Sequence, residues 1–289
     1  MYILKIIELT KNNIANYENL FFFPAHKQLL VSNIETVIAY AVMENNKPLL
    51  LIAGDHLGHI FTMRLFGNLF LPTLVDEVLN KIELDYKNQG ISSIRIDYEC
   101  PPVFEQEMED AIQKRSGNPP VKHLDLFIGE RKNLENDRWL SRDFLGNSTY
   151  TLKKWSELSS SQMEQLKLQT NGLINTNFYP FNDEKRILKD FSFIILSDTI
   201  AIGWLITERV ARNMVYVKMV YTFPGYSERK SGLTLMNHFL NQLSTKDEIQ
   251  YVMFAVEPEN KNVTTLVKKR FQKGIVQQKA FYRSTWLIN

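Results

Sequence analysis

The stretch FSFIILSDTIAIGWLITERVARNMVYVKMVYTFPGYSERKSG, residues 191–232, holds three apolar runs cut by two short polar turns and ends beyond a proline–glycine turn. Runs this short, rich in Val, Ile, Tyr and Phe and bounded by Ser197-Asp198 and Ala211-Arg212-Asn213, predict strands at 191–196, 200–207 and 214–222 joined as an antiparallel meander. Beyond them, Leu235, Met236, Phe239, Leu240 and Leu243 fall at i, i+1, i+4, i+5 and i+8, the stripe of an amphipathic helix. A strand at 251–256, a helix at 262–270 and a strand at 279–287 complete a β-β-β-α-β-α-β order.

The first half repeats it. Strands are predicted at 34–43, 49–53 and 59–66, then a helix capped by Thr73 with Leu74, Val75, Val78, Leu79 and Ile82 as its stripe, ended by Gly90. A strand at 92–98, a helix opened by Pro101-Pro102 and a strand at 121–128 follow. Matching positions recur at nearly constant offsets: Phe191 lies 157 residues after Ile34, Val252 lies 158 after Ile94, and Leu235 lies 161 after Leu74. The chain therefore reads as two tandem α/β domains, each a mixed, mostly antiparallel sheet flanked by helices. The expected division is 1–135, a polar linker at 136–148 docked by Trp139, Leu140 and Phe144, and 149–289. The second domain opens with a strand at 149–155 and helices at 162–169 and 184–189.

Composition narrows the function. Thirty-four basic and 32 acidic side chains give a net charge of +2 over 289 residues, far from the dense positive field that nucleic acid selects. Cys100 is the single cysteine, so there is no internal disulfide and no cysteine zinc site, which fits a reducing, cytoplasmic setting. The N-terminal apolar run is interrupted by charge and is no signal peptide, and no apolar stretch approaches bilayer-spanning length. His56 and His59 lack a third clustered ligand, so no metal site is expected. GxGxxG, GxxxxGK[ST] and GxSxG are all missing, which removes the main support for the dinucleotide, P-loop and serine-hydrolase readings.

Val220-Tyr221-Thr222-Phe223-Pro224-Gly225-Tyr226-Ser227-Glu228-Arg229-Lys230-Ser231-Gly232 runs from a strand through a turn into a helix. With the element order, it resembles the strand-to-helix phosphate loop of the GNAT superfamily of acyl-coenzyme A-dependent N-acyltransferases. A helix N-terminus offers unpaired amides and the positive end of its dipole to a pyrophosphate. Gly232 falls on the loop's final small position, whereas Ser227 replaces the usual Arg, and Glu228 and Lys230 replace glycines. The resemblance implies acetyl-coenzyme A as co-substrate, held by Val220, Tyr221, Thr222, Ser227, Glu228, Arg229, Lys230, Ser231, Gly232 and Leu233. Asn260 would contact its pantetheine arm. It further implies transfer of the acetyl group to a primary amine by direct attack, the acceptor being a small molecule or peptide. Glu208, Glu257 and Tyr282 are the candidate bases; Val267 stands where the family's thiolate-protonating Tyr would be. In the first copy, the stretch from Phe66 to Pro72 has one glycine and no base, so that copy reads as degenerate. The alternative is a catalytically inactive GNAT-fold binding or scaffolding protein.

Overall fold

A computed structural model describes residues 4–17, 20–21, 26, 30–32, 34–66, 72–135, 150–171, 179–181, 184–226 and 231–288. In chain order the elements are β1 (Leu4–Glu8), β2 (Val37–Glu44), β3 (Lys47–Asp55), β4 (His59–Leu65), α1 (Pro72–Asn88), β5 (Ser93–Cys100), α2 (Glu105–Ser116), β6 (Val121–Glu130) and α3 (Arg131–Glu135). They continue with β7 (Tyr150–Lys154), α4 (Ser160–Thr170), β8 (Phe193–Ser197), β9 (Ile200–Ala211), β10 (Met214–Thr222), α5 (Ser231–Leu243), β11 (Tyr251–Val256), α6 (Lys261–Leu266) and β12 (Ile275–Leu287). The fold is mixed α/β, and both expected meanders are present. No helix among the described residues is long and apolar enough to cross a membrane.

Two compact units result. Unit 1 comprises Met1–Leu126, Glu257–Glu259 and Lys279–Asn289; unit 2 comprises Phe127–Val256 and Asn260–Gln278. This differs from a single cut in the 136–148 segment, which lies outside the described residues. The difference arises because the C-terminal part of β12 pairs antiparallel with β5, from Ala280 opposite Cys100 to Leu287 opposite Ser93. The last strand thus serves the first unit's sheet, whose order is β1-β2-β3-β4-β5-β12. β1, which the sequence reading did not predict, pairs with β2 at the edge.

Local chemistry fixes the turns. Asn45 and Asn46 take φ of 48° and 65° between β2 and β3, the left-handed pair of a two-residue hairpin, and Asn bears that region at low cost. Asp198 does the same between β8 and β9 with φ 54°. Strand alternation then builds two apolar layers per unit. In unit 1, Tyr40, Val42, Leu50 and Ile52 face α1 and α2, whereas Ala39, Ala41, Leu51 and Ala53 face residues from the N-terminal segment. In unit 2, Ile202 and Leu205 join Leu235, Phe239 and Leu240 of α5 on one face; Trp204 and Ile206 join Trp155 and Leu166 on the other. Arg131, almost wholly buried, donates to the carbonyls of Leu243 and Ser244 at 2.9 and 3.0 Å, closing the C-terminal end of α5 with a cation.

Trp286 on β12 is 6% exposed in the unit 1 core and donates its indole N–H to Glu83 at 2.9 Å. Trp286→Ala is expected to destabilise unit 1 by about 3–5 kcal/mol. Amide exchange is the measurement: protection should fall across β5 while β9 and β10 keep theirs, and uniform loss in both units would contradict the strand's assignment to unit 1.

Candidate functional site

β10 and β11 run parallel, in register from Met214 opposite Tyr251 to Val217 opposite Phe254. There the pairing stops. On its other side β10 stays paired with β9 as far as Thr222 opposite Gly203, but the register skips Lys218: Val217 faces Thr207 and Met219 faces Ile206. Lys218 is one extra residue, a β-bulge, and a bulge bends its strand and raises its twist. The consequence is visible in the core, where Val215 and Val217 pack on the α5 side but Met219 on the opposite side. Past Lys218 the β11-facing edge of 218–222 has no strand partner among the described residues.

The opening has three walls. Gly203 lets β9 approach β10, since a Cβ there would stand 2.7 Å from the Tyr221 carbonyl oxygen. Tyr221 stacks on fully buried Trp204 with centroids 4.7 Å apart, and Phe223 meets both rings edge-on, making an aromatic face. Behind the opposite face, α5 begins against β10: a Cβ on Gly232 would touch Val220 at 3.7 Å and Thr222 at 3.9 Å, ordinary contacts. Phe223-Pro224-Gly225-Tyr226 forms the connecting turn. Tyr226 N–H donates to Phe223 O at 3.0 Å, and Gly225 supplies φ +86°. Ser231, fully buried, donates its hydroxyl to the Tyr226 carbonyl at 3.0 Å, tying the helix start to the turn. Ser227, Glu228, Arg229 and Lys230 lie outside the described residues. Of the other expected loop residues, Val220, Tyr221, Thr222, Ser231, Gly232 and Leu233 are brought together here.

The candidate bases are dispersed. Glu208 on β9 is 3% exposed, with Lys218 Nζ 2.7 Å from one carboxylate oxygen and an Arg186 guanidinium nitrogen 2.9 Å from the other. Both oxygens being engaged by cations, Glu208 suits holding the bulge residue better than accepting a proton. Tyr216, directly opposite Glu208 across β9 and β10, is pushed up to about 12, by burial first and the Glu208 charge second. Glu257 is exposed, follows the end of β11 and groups with unit 1. Tyr282 belongs to the unit 1 core, stacked on Tyr98 at 5.6 Å, and not to unit 2, because β12 carries it into the first sheet. Asn260 caps α6, its side-chain oxygen accepting from Val263 N–H at 3.2 Å. Val267 is buried in the unit 2 core.

Sequence reasoning missed Lys218 and the Arg186–Glu208 contact. It also missed that unit 1 carries the same device. There β3 and β4 skip Phe61, with Ala53 facing Thr62 and Gly54 facing Ile60, and the parallel pairing of β4 with β5 ends at Ile60 opposite Ile96. Lys218 lies 157 residues after Phe61, the repeat offset found between Ile34 and Phe191. The residues that would form a phosphate loop in unit 1, 67–71, lie outside the described ones. Among the described residues no group of three His, Cys, Asp or Glu side chains is placed to hold a metal ion.

Solved structures share this architecture. A tandem GNAT protein from the clavulanic acid biosynthesis pathway matches at TM-score 0.61 and 10% identity, covering 99% of both chains. A GCN5-related N-acetyltransferase from Sphaerobacter thermophilus matches at 0.61 and 8% identity over 99% of this chain and 96% of the other. A GCN5-related N-acetyltransferase from Kribbella flavida matches at 0.53 and 14% identity over 81% and 86%. No protein-family model and no curated protein sequence matches the chain. The chain thus has a tandem GNAT fold, shown at the level of structure.

Glu208→Gln leaves Arg186 and Lys218 without their shared anion, and losing one partner of a buried pair costs about 3–5 kcal/mol. The expected result is a lower unfolding midpoint together with a downward shift of the Tyr216 phenol titration. Since the native phenol titrates above the ordinary 10.0, its contribution to stability is complete below pH 10.0 and is lost as pH rises towards about 12. An unmoved Tyr216 titration, followed by NMR of ring-labelled tyrosine, would contradict the electrostatic link.

Proposed function

We propose that the chain is an acyl-coenzyme A-dependent N-acyltransferase, most simply an N-acetyltransferase, that works in unit 2 on a cytosolic primary amine. The observation that carries this reading is the parting of β10 from β11 at Lys218, with the N-terminus of α5 set against β10. An unpaired strand edge accepts an extended amide chain as if it were a further strand. A helix start suits the phosphates at that chain's end. Acetyl-coenzyme A supplies a thioester; the amine attacks its carbonyl carbon, the C–N bond forms as the C–S bond breaks, and the thiolate leaves. A backbone N–H at a parted strand edge is the kind of fixed donor that stabilises the oxyanion formed on the way. The amine must arrive neutral. With Glu208 held by two cations, a water-mediated proton path fits this unit better than direct transfer to that carboxylate. The fold shared with N-acetyltransferases supports the reading at the level of reaction class.

The second reading is an acyl-coenzyme A binder without turnover, favoured by Val267, a core valine at the position of the family's proton donor. Calorimetry with acetyl-coenzyme A tests the common part. A dissociation constant between about 1 µM and 1 mM is expected, and no heat at about 1 mM would overturn both readings. Gly232→Ala fits the available space and should bind as wild type, whereas Gly232→Leu must displace Val220 and Thr222 and should bind about tenfold more weakly or worse. Equal affinity in all three would remove this helix start from the site. Thiol release with a panel of amines separates enzyme from binder. Background is low because burial, ahead of the nearby Glu105 charge, pushes the single thiol, Cys100, up to about 12.

A further inference from the structure

In unit 1, Ile94, Ile96 and Tyr98 of β5 and Ala280, Tyr282 and Trp286 of β12 point into the core beneath α1 and α2. The alternate side chains point the other way: beside Phe281, Thr285 and Leu287 of β12 they include the charged Arg95, Asp97 and Glu99 on β5 and Lys279 and Arg283 on β12. The apolar cluster on that face draws on β2, β3, β4 and the N-terminal segment and includes no residue of β5 or β12. Among the described residues, a row of charged side chains on this face therefore meets the parted ends of β4 and β5.

The polar row has two parts. Glu99 is buried and bonded by Lys279 Nζ, with Arg64 Nε at 3.9 Å, a closed cluster. Asp97, the first β5 residue past the β4 pairing, is an open one. It accepts from His59 Nε2 at 2.7 Å, from Arg283 Nε at 2.6 Å and a second Arg283 nitrogen at 3.3 Å, and from Arg95 at 3.4 Å. Burial by itself would raise the Asp97 carboxyl, but the bonds from His59 and Arg283 outweigh it and hold the group well below the usual carboxylate range. One carboxylate thus aligns two guanidinium groups. Each has five donors, most of them left without a protein acceptor among the described residues, and the two side chains are 46% and 40% exposed.

His123 on β6 stands beside them, its Nε2 4.0 Å from Asp97, and makes no hydrogen bond among the described residues although half-buried. Burial first, then the Arg283 charge, keep its ring below the ordinary histidine range. Among the described residues, further charges near this face are the Lys122–Asp125 pair at 2.8 Å and Glu259, whose field reaches His123.

We propose that unit 1 carries an oxyanion site at the vertex of its parted strands, in which Arg95 and Arg283, aligned by Asp97, grip a carboxylate or phosphate group of a small molecule beside His123. Guanidinium pairs match such groups in shape as well as charge.

The test uses the full chain, with sodium acetate and inorganic phosphate titrated separately against sodium chloride at constant ionic strength. Imidazole NMR signals of His59 and His123, assigned with His59→Gln and His123→Gln, report locally and are blind to anions bound in unit 2. A saturable shift with one probe or both is expected, and which probe saturates identifies the group. Arg95→Gln removes a side chain whose one polar partner among the described residues is Asp97, so the fold should survive, and binding should weaken about tenfold. Shifts that stay linear to about 50 mM with both probes, or an Arg95→Gln chain that binds as tightly as wild type, would overturn the site.

Discussion

One extra residue in a strand governs this molecule. A parallel pair needs evenly spaced hydrogen bonds along both strands, and an inserted residue on one of them moves every later donor and acceptor out of phase. In β10 that residue is Lys218. Its neighbour β9 absorbs the irregularity and stays bonded to Thr222, so the misfit falls on the β11 side alone. The strand edge, the aromatic wall of Tyr221 and Trp204 and the approach of α5 to Val220 all lie beyond that point. The Glu208 carboxylate anchors Lys218 from the adjacent strand, which places a charged pair where bending has to be maintained.

Most elements were legible because turns and stripes are local. β10 and β11 span the predicted 214–222 and 251–256, since each is bounded by polar turn residues and filled with β-branched or aromatic side chains. What local pattern does not encode is which strand pairs with which. Ile275–Leu287 reads correctly as a strand near 279–287, but nothing in its own residues says that Trp286 belongs beneath α1 in the first unit. β1 escaped for another reason. Its Leu4-Lys5-Ile6-Ile7-Glu8 is too short and too charged to stand out, and edge pairing with β2 decides its state.

The site was legible where chemistry is tied to backbone chemistry. Pro224-Gly225 reads as a turn and is one; Asn260, expected at the pantetheine arm, caps α6. The bulge was hidden. Val215, Val217 and Met219 keep an unbroken alternation in the sequence, so the run looks like a regular strand although Met219 has crossed to the other face. Apolar residues occupy both phases after Lys218, and hydrophobicity then carries no mark of the switch. The setting of Glu208 was hidden for a related reason: only three-dimensional packing reveals Arg186 and Lys218 on its two oxygens.

A bulge asks little of side-chain identity, which is compatible with a shared fold at 10% identity. Parting two strands depends on the count of residues, and the identity of the extra one is free: it is phenylalanine at position 61 and lysine at 218. Side chains around the vertex are correspondingly free to diverge. Unit 2 holds its Glu208 carboxylate with Lys218 on β10 and with Arg186, which precedes β8, whereas unit 1 gathers His59, Arg95 and Arg283 around Asp97. A fold specified by residue count keeps its opening while the side chains around it change.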